Sequence, residues 1–211
     1  MNALQKLNSM RQVGGSRRTA GLPDATIERF LKSDPLLAQA IDDAYVAFEA
    51  VKVEFPQLLE LDETAQLRTV QAGYVNFYDE DAINPYIALA GRGPWVVTLK
   101  GAIVHDDGGY GMLGAGHGPQ AIIDSMAKPY VMANIMTASV SHLRLEIALR
   151  AEIGHRRDGC PYSHFLCLNS GSESVTLAGR LADVHTKLMT DPGAPHAGRK
   201  VRRIAVKGAF H

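Results

Sequence analysis

The chain has 211 residues, enough for one sizeable core or parts of two, with 46% hydrophobic and 21% charged residues. Lys plus Arg and Asp plus Glu balance at 22 each. That balance argues against a dedicated nucleic-acid or acidic-membrane surface. No stretch is apolar for long enough to span a bilayer, and Met1–Arg18 lacks the apolar centre of a secretory signal. Its Arg, Ser and lack of acid allow a transit peptide, but a polar, frayed terminus is the first expectation. Cys160 and Cys167 form neither a metal-ligand spacing nor a disulfide framework, and the eight histidines show no pair at helical metal spacing. The expected compartment is the cytoplasm, with no nucleic-acid or membrane partner and no metal.

Asp34 followed by Pro35 reads as an N-cap with proline at the first helical position. Leu37, Ile41, Ala44, Phe48, Val51 and Phe55 then recur in steps of four and three, marking an apolar stripe that Pro56 ends. Asp62 is expected to cap a second helix running to about Phe77. Residues 1–92 are therefore read as a helical N-terminal extension, residues 93–118 as a β-rich segment, and residues 119–211 as the first part of a larger α/β domain.

In the β-rich segment, Trp95–Leu99 and Ala102–Val104 are expected strands, and Asp107-Gly108-Gly109 an expected turn. Pro119 opens a short helix whose buried face would carry Ile122, Ile123 and Met126. A longer helix over about Ser139–His155 would present Leu143, Ile147 and Ala151 on one side. Phe165–Leu168 reads as a strand, Ser172–Thr190 as a helix burying Val175, Ala178, Leu181, Ala182, His185 and Leu188, and Arg203–Val206 as another strand. Strand, helix and strand in that order predict a βαβ unit within a parallel sheet. The basic run Arg199–Arg203 is read as a solvated loop and strand entrance.

The turn Asn169-Ser170-Gly171-Ser172 joins the first of these strands to the helix. A helix start offers backbone N–H groups without internal partners and the positive end of a dipole, so such a turn suits a phosphate dianion. On these residues alone an ordinary serine-capped helix start remains the first reading. Topology adds to the functional one. Parallel strands of a right-handed βαβ unit end on the same sheet edge, where ligands of open α/β sheets bind, and Gly208–His211 follows the second strand. Phosphate in the turn with Phe210 against a ring face would suit a phosphorylated planar heterocycle. Packing of Phe210 into the core is the competing possibility.

Asn169-Ser170-Gly171-Ser172-Glu173-Ser174 resembles the Asn-Ser-Gly-Ser/Thr-Glu-Ala segment of class III aminotransferases, which are fold-type I, pyridoxal-phosphate-dependent enzymes. Gly208-Ala209-Phe210-His211 resembles the start of their Gly-x-Phe/Tyr-His-Gly segment. Gly101, Asp106-Asp107-Gly108, Tyr110 and Gly116-His117-Gly118-Pro119 resemble the stretch leading into their Gly-His-x-x-Pro region. The similarity runs from about Gly93 to His211. It implies an incomplete fold-type I large domain, mainly a parallel sheet with flanking helices. Gly171 and Ser172 would bind the phosphate of pyridoxal 5'-phosphate, and Phe210 would stack on its ring. His211 would lie near the cofactor, and Glu173 would either complement the helix dipole or help order the site.

Ser174 stands where the family has alanine, the stretch from Tyr110 to His117 is short, and Gly118-Pro119 lacks a second histidine. The family's cofactor-bearing lysine, its aspartate partner for the ring nitrogen and a phosphate-assisting threonine all lie downstream of the Phe-His segment. The catalytic lysine is accordingly expected beyond His211, with the 211 residues an N-terminal portion inactive alone. The resemblance further implies a homodimer that transfers an amino group from an amino acid or amine donor to an oxo-acid acceptor. An aminomutase, racemase or decarboxylase of the same family, or a catalytically silent dimerisation or ligand-binding module, are the alternatives. A serine hydrolase is disfavoured, because Gly-x-Ser-x-Gly is absent.

Overall fold

The computed structural model describes residues 1–76, 78–107, 114–131 and 136–209. Among them are eight α-helices, a short 3-10 helix and one three-stranded antiparallel sheet, so the architecture is mixed α and β. The chain divides into two compact units, Met1–Tyr130 and Val131–His211.

The first unit contains α1 (Ala3–Arg11), α2 (Asp24–Leu31), α3 (Pro35–Glu54), α4 (Pro56–Glu60) and α5 (Glu63–Gln71). It continues with β1 (Ala88–Arg92), β2 (Trp95–Thr98), β3 (Ile103–His105) and α6 (Gln120–Met126). Helix α3 starts where the Asp-Pro pair predicts. Asp34 Oδ1 accepts from the Leu36 amide, and Pro35, which has no N–H to lose, occupies the first helical position. Of the expected stripe, Leu37, Ile41, Ala44 and Phe48 are buried, joined by Ala40, while Phe55 is half exposed at the C-cap. Asp62 caps α5 by accepting from the Ala65 amide, as expected, but the helix ends at Gln71, and Phe77 lies outside the described residues.

Strands β1 and β2 pair antiparallel with Arg92 opposite Trp95, and β2 pairs antiparallel with β3, Trp95 facing His105. The tight β1–β2 turn is Gly93-Pro94, with Gly93 at a positive φ of 53°, where a side chain is strained. The core is one cluster in which Leu7 and Met10 of α1, Ile27 of α2, the α3 stripe and Leu59 of α4 meet Trp95, Val97, Leu99 and Ile103. Asp34 also reaches the sheet. Its Oδ2 accepts from Trp95 Nε1 at 2.7 Å, and the Trp95 ring lies 5.0 Å from Phe30 and 4.9 Å from His105. One carboxylate thus caps α3 and satisfies the only buried indole of the core. Arg92 and Gly93 lie at the turn of this hairpin, within the first unit. Sheet and helices bury each other's apolar faces, which is why residues 88–105 belong with the helices before them.

Part of this unit's interior is polar. Lys100, in the turn between β2 and β3, is 3% exposed, and its Nζ donates to the carbonyls of Gly14, Leu59 and Leu61. Burial pushes its ammonium below the usual 10.5, opposed by the charges of Glu63, Glu60 and Asp62. Gly15, at a φ of 74°, lets the chain pass directly against the Leu61 main chain, where a Cβ would collide with the Leu61 carbonyl.

The second unit contains α7 (Val140–Gly154) and α8 (Gly171–Thr190), both close to their expected bounds. The parallel βαβ arrangement is not formed among the described residues. Neither Phe165–Leu168 nor Arg203–Val206 is paired as a strand, and Leu166, Ile204 and Val206 are exposed. A strand is held by ladder bonds to at least one neighbour; among the described residues these two segments form no such ladder, and their backbone is irregular. The expected buried faces are uncovered as well. Ile122, Ile123 and Met126 of α6, Leu143 and Ile147 of α7, and Val175, Leu181 and Leu188 of α8 are all exposed, as are Ala151, Ala178, Ala182 and His185. The helical period was sufficient to place these helices, but period alone does not supply the surface that covers them.

Candidate functional site

The approach to α8 is built from α7. Arg150 donates through Nη1 to the Tyr162 carbonyl and through Nη2 to the Ser163 carbonyl, both at 2.8 Å, and its guanidinium lies 5.4 Å from the Phe165 ring centroid. Glu146, one turn earlier, engages Arg150 Nε and aims the fork. The segment that leads into the turn at 169–172 is thereby tied to a helix by its main chain.

Ser170 is the N-cap of α8, with extended backbone at φ −145° and ψ 157°. Its hydroxyl accepts from the Glu173 amide at 3.2 Å. Glu173 reaches back, and its Oε2 accepts from the amides of Asn169 at 3.0 Å and Ser170 at 3.1 Å. This is a capping box, readable in the Ser-x-x-Glu spacing, and it gives Glu173 the first of its two expected roles, complementing the dipole. The capping box draws on the amides of Asn169, Ser170 and Glu173. The two residues expected to bind phosphate, Gly171 and Ser172, supply the next pair of amides, at the first two helical positions. All of 169–173 is exposed, so the turn is open to a ligand.

Beside the turn lies an open depression of about 420 Å³, lined by Leu168, Ser172, Glu173, Thr176, Leu177 and Arg180. Its mouth carries one hydroxyl pair, one carboxylate and one guanidinium, with two leucines as apolar wall. The positive end of a 20-residue helix, with Gly171 exposed at its first position and Arg180 about two turns along, suits a phosphate. The Glu173 carboxylate next to them is the one opposing charge. Replacing Glu173 with Gln preserves a capping-box side chain while removing that charge. Inorganic phosphate should then bind roughly fivefold more tightly at low ionic strength, measured by titration. Weaker binding by Glu173→Gln would assign the carboxylate to ordering the site instead.

Phe210 and His211 lie outside the described residues, as do Gly108, Gly109 and Tyr110 of the expected turn and the segment around it. Arg203 pairs with Asp183, which is twelve residues beyond Gly171 (183 minus 171) on α8.

The first unit holds a polar cluster whose residues stand in the motifs quoted above but whose pairing the sequence did not announce. His117 Nε2 and Asp106 Oδ2 share a hydrogen bond at 2.9 Å, and His105 Nδ1 and Asp107 Oδ1 one at 2.6 Å. His117 is also bridged to Gly93, each amide donating to the other's carbonyl at 2.8 Å. A depression of about 420 Å³ lies alongside, lined by Gly93, Pro94, Asp106, Asp107 and Gly114–Gly116. The two glycines flanking His117 were visible as a motif, but a pairing across eleven residues carries no periodic signal. Among the described residues no group of three or more His, Cys, Asp or Glu could hold a metal ion, and no helix is long and apolar enough to cross a membrane. No protein-family profile matches the chain, and no curated protein or solved structure matches it either.

Proposed function

We propose that this chain provides the cofactor-phosphate site of a pyridoxal-phosphate-dependent aminotransferase of the class III kind, with Gly171 and Ser172 as binding residues and Phe210 as the ring-stacking residue. The observation that carries the reading is the start of α8 at Gly171. There Gly171 stands exposed at the positive end of a 20-residue helix, while the capping box engages the amides of Asn169, Ser170 and Glu173. Pyridoxal phosphate, when bound, supplies the electron sink through which an amino group moves from an amino acid or amine to an oxo acid. The chain's own residues do the holding. The Gly171 and Ser172 amides and the Ser172 hydroxyl donate to the phosphate, and the α8 dipole favours its charge. Phe210 orients the ring. On this reading the protein is a cytoplasmic homodimer, and the exposed leucines and valines of α7 and α8 support a subunit contact on those helices.

Gly171→Pro tests the role of one amide without disturbing the helix. Proline is favoured at the first helical position, and Ser170 already has the extended backbone that a residue before proline requires. Only the donor is lost. Binding of pyridoxamine 5'-phosphate, which has no aldehyde to react with surface lysines, should weaken about 10- to 100-fold, the loss of one hydrogen bond to a charged group. Calorimetric titration with helix content checked by circular dichroism reads this out; unchanged affinity would remove Gly171 from the site.

A further inference from the structure

The connection between α1 and α2 is strapped against α5 through a polar seam, and the seam is incomplete in a specific way. The Glu63 amide donates to the Ser16 carbonyl at 3.0 Å, and Glu63 Oε2 accepts from the amides of Arg18 at 2.7 Å and Thr19 at 2.6 Å. Gln66, one turn along α5, donates through Nε2 to the Leu58 carbonyl at 2.9 Å, which fixes its Oε1 as the other end of the amide. Glu63 is 1% and Gln66 0% exposed. Three buried oxygens here have no hydrogen-bond partner among the described protein atoms: Glu63 Oε1, Gln66 Oε1 and Thr19 Oγ1. Glu63 and Gln66 share one face of α5, and Thr19 is bonded to Glu63, so the three belong to one locality.

We infer that Thr19, Glu63 and Gln66 form a binding site for a single water molecule that fastens the 14–19 strap to α5. The hydrogen-bond inventory selects the ligand. Glu63 Oε1 and Gln66 Oε1 only accept, whereas the Thr19 hydroxyl can donate. A water donating to the first two and accepting from the third satisfies all three atoms, the usual count for a buried water. A metal cation suits the seam less well. It needs about six oxygens, and the carbonyls that would complete its shell, Gly14, Leu59 and Leu61, already hold the Lys100 ammonium. Leaving the three oxygens dry would incur the full desolvation cost of each.

The test counts long-lived internal water in the full chain by magnetic relaxation dispersion of the solvent nuclei. Thr19→Val and Gln66→Met should each lose the contribution of one water molecule, while Thr19→Ser, which keeps the hydroxyl, should retain it. Fluorescence of Trp95, the chain's single tryptophan, reports whether each variant is folded. Should a variant fail to fold, cross-relaxation between water and the Gln66 side-chain amide protons in the unaltered protein gives the answer directly, and its absence would overturn the site. Equal dispersion in all folded variants would overturn it too. So would a melting temperature raised by one of sodium, potassium or calcium above the others at matched ionic strength, since that result assigns the oxygens to a cation.

Discussion

Replacing Lys100 with Met should destabilise the first unit by about 3–5 kcal/mol, the range for removing one partner from a buried charged cluster. The ammonium is surrounded by the carbonyls of Gly14, Leu59 and Leu61, and the acid closest to it in electrostatic weight, Glu63, is itself buried. Methionine fills the aliphatic part of the space, but strands three carbonyls and leaves Glu63 without a buried counter-charge. The pH dependence has a definite sign. Burial holds the folded-state value of Lys100 below its unfolded value of 10.5, so between those two values the unfolded chain binds the extra proton. Stability from this group therefore increases as pH rises through that window. The advantage of the unaltered protein over Lys100→Met should widen as pH approaches 10.5. Urea unfolding followed by Trp95 fluorescence measures both effects. A narrowing gap would show that the fold favours the charged form.

Asp34→Ala should cost about 2–4 kcal/mol, more than an N-cap alone. Losing the cap on the Leu36 amide accounts for about 1 kcal/mol. The remainder comes from Trp95, 1% exposed, whose indole N–H loses its charged acceptor and is left buried without one, at about 1–3 kcal/mol. Asp34→Asn keeps a single oxygen for two donors and should fall between the two. A loss under about 0.5 kcal/mol for Asp34→Ala, in the same unfolding experiment, would mean that the indole finds another partner.

These two residues mark where the sequence was legible and where it was not. Asp34-Pro35, the α3 stripe and Asp62 carry their instructions locally, in cap chemistry and in a helical period, and the structure follows them. The second duty of Asp34, on an indole 61 residues away, has no such signature. Lys100, Glu63 and Gln66 were unreadable for the opposite reason. Charged and amide residues normally face water, and only the tertiary passage of Gly14–Thr19 over α4 and α5 buries them. In the second unit the helices were readable from their periods and from Ser170, whereas sheet pairing depends on neighbours that Phe165–Leu168 and Arg203–Val206 do not have. The candidate site divides along the same line. Its capping box is a four-residue pattern and was legible; the Asp106–His117 pair, made across a loop, was not.

The backbone amide resonances of Gly171 and Ser172, followed during a titration with pyridoxamine 5'-phosphate, test the cofactor-phosphate reading most directly. The account predicts that these two move with a single saturating curve, that inorganic phosphate moves the same two more weakly, and that the amides of Asn169 and Ser170 shift less because Glu173 retains them. If Gly171 and Ser172 stay still while resonances elsewhere respond, the start of α8 is a helix cap and nothing more.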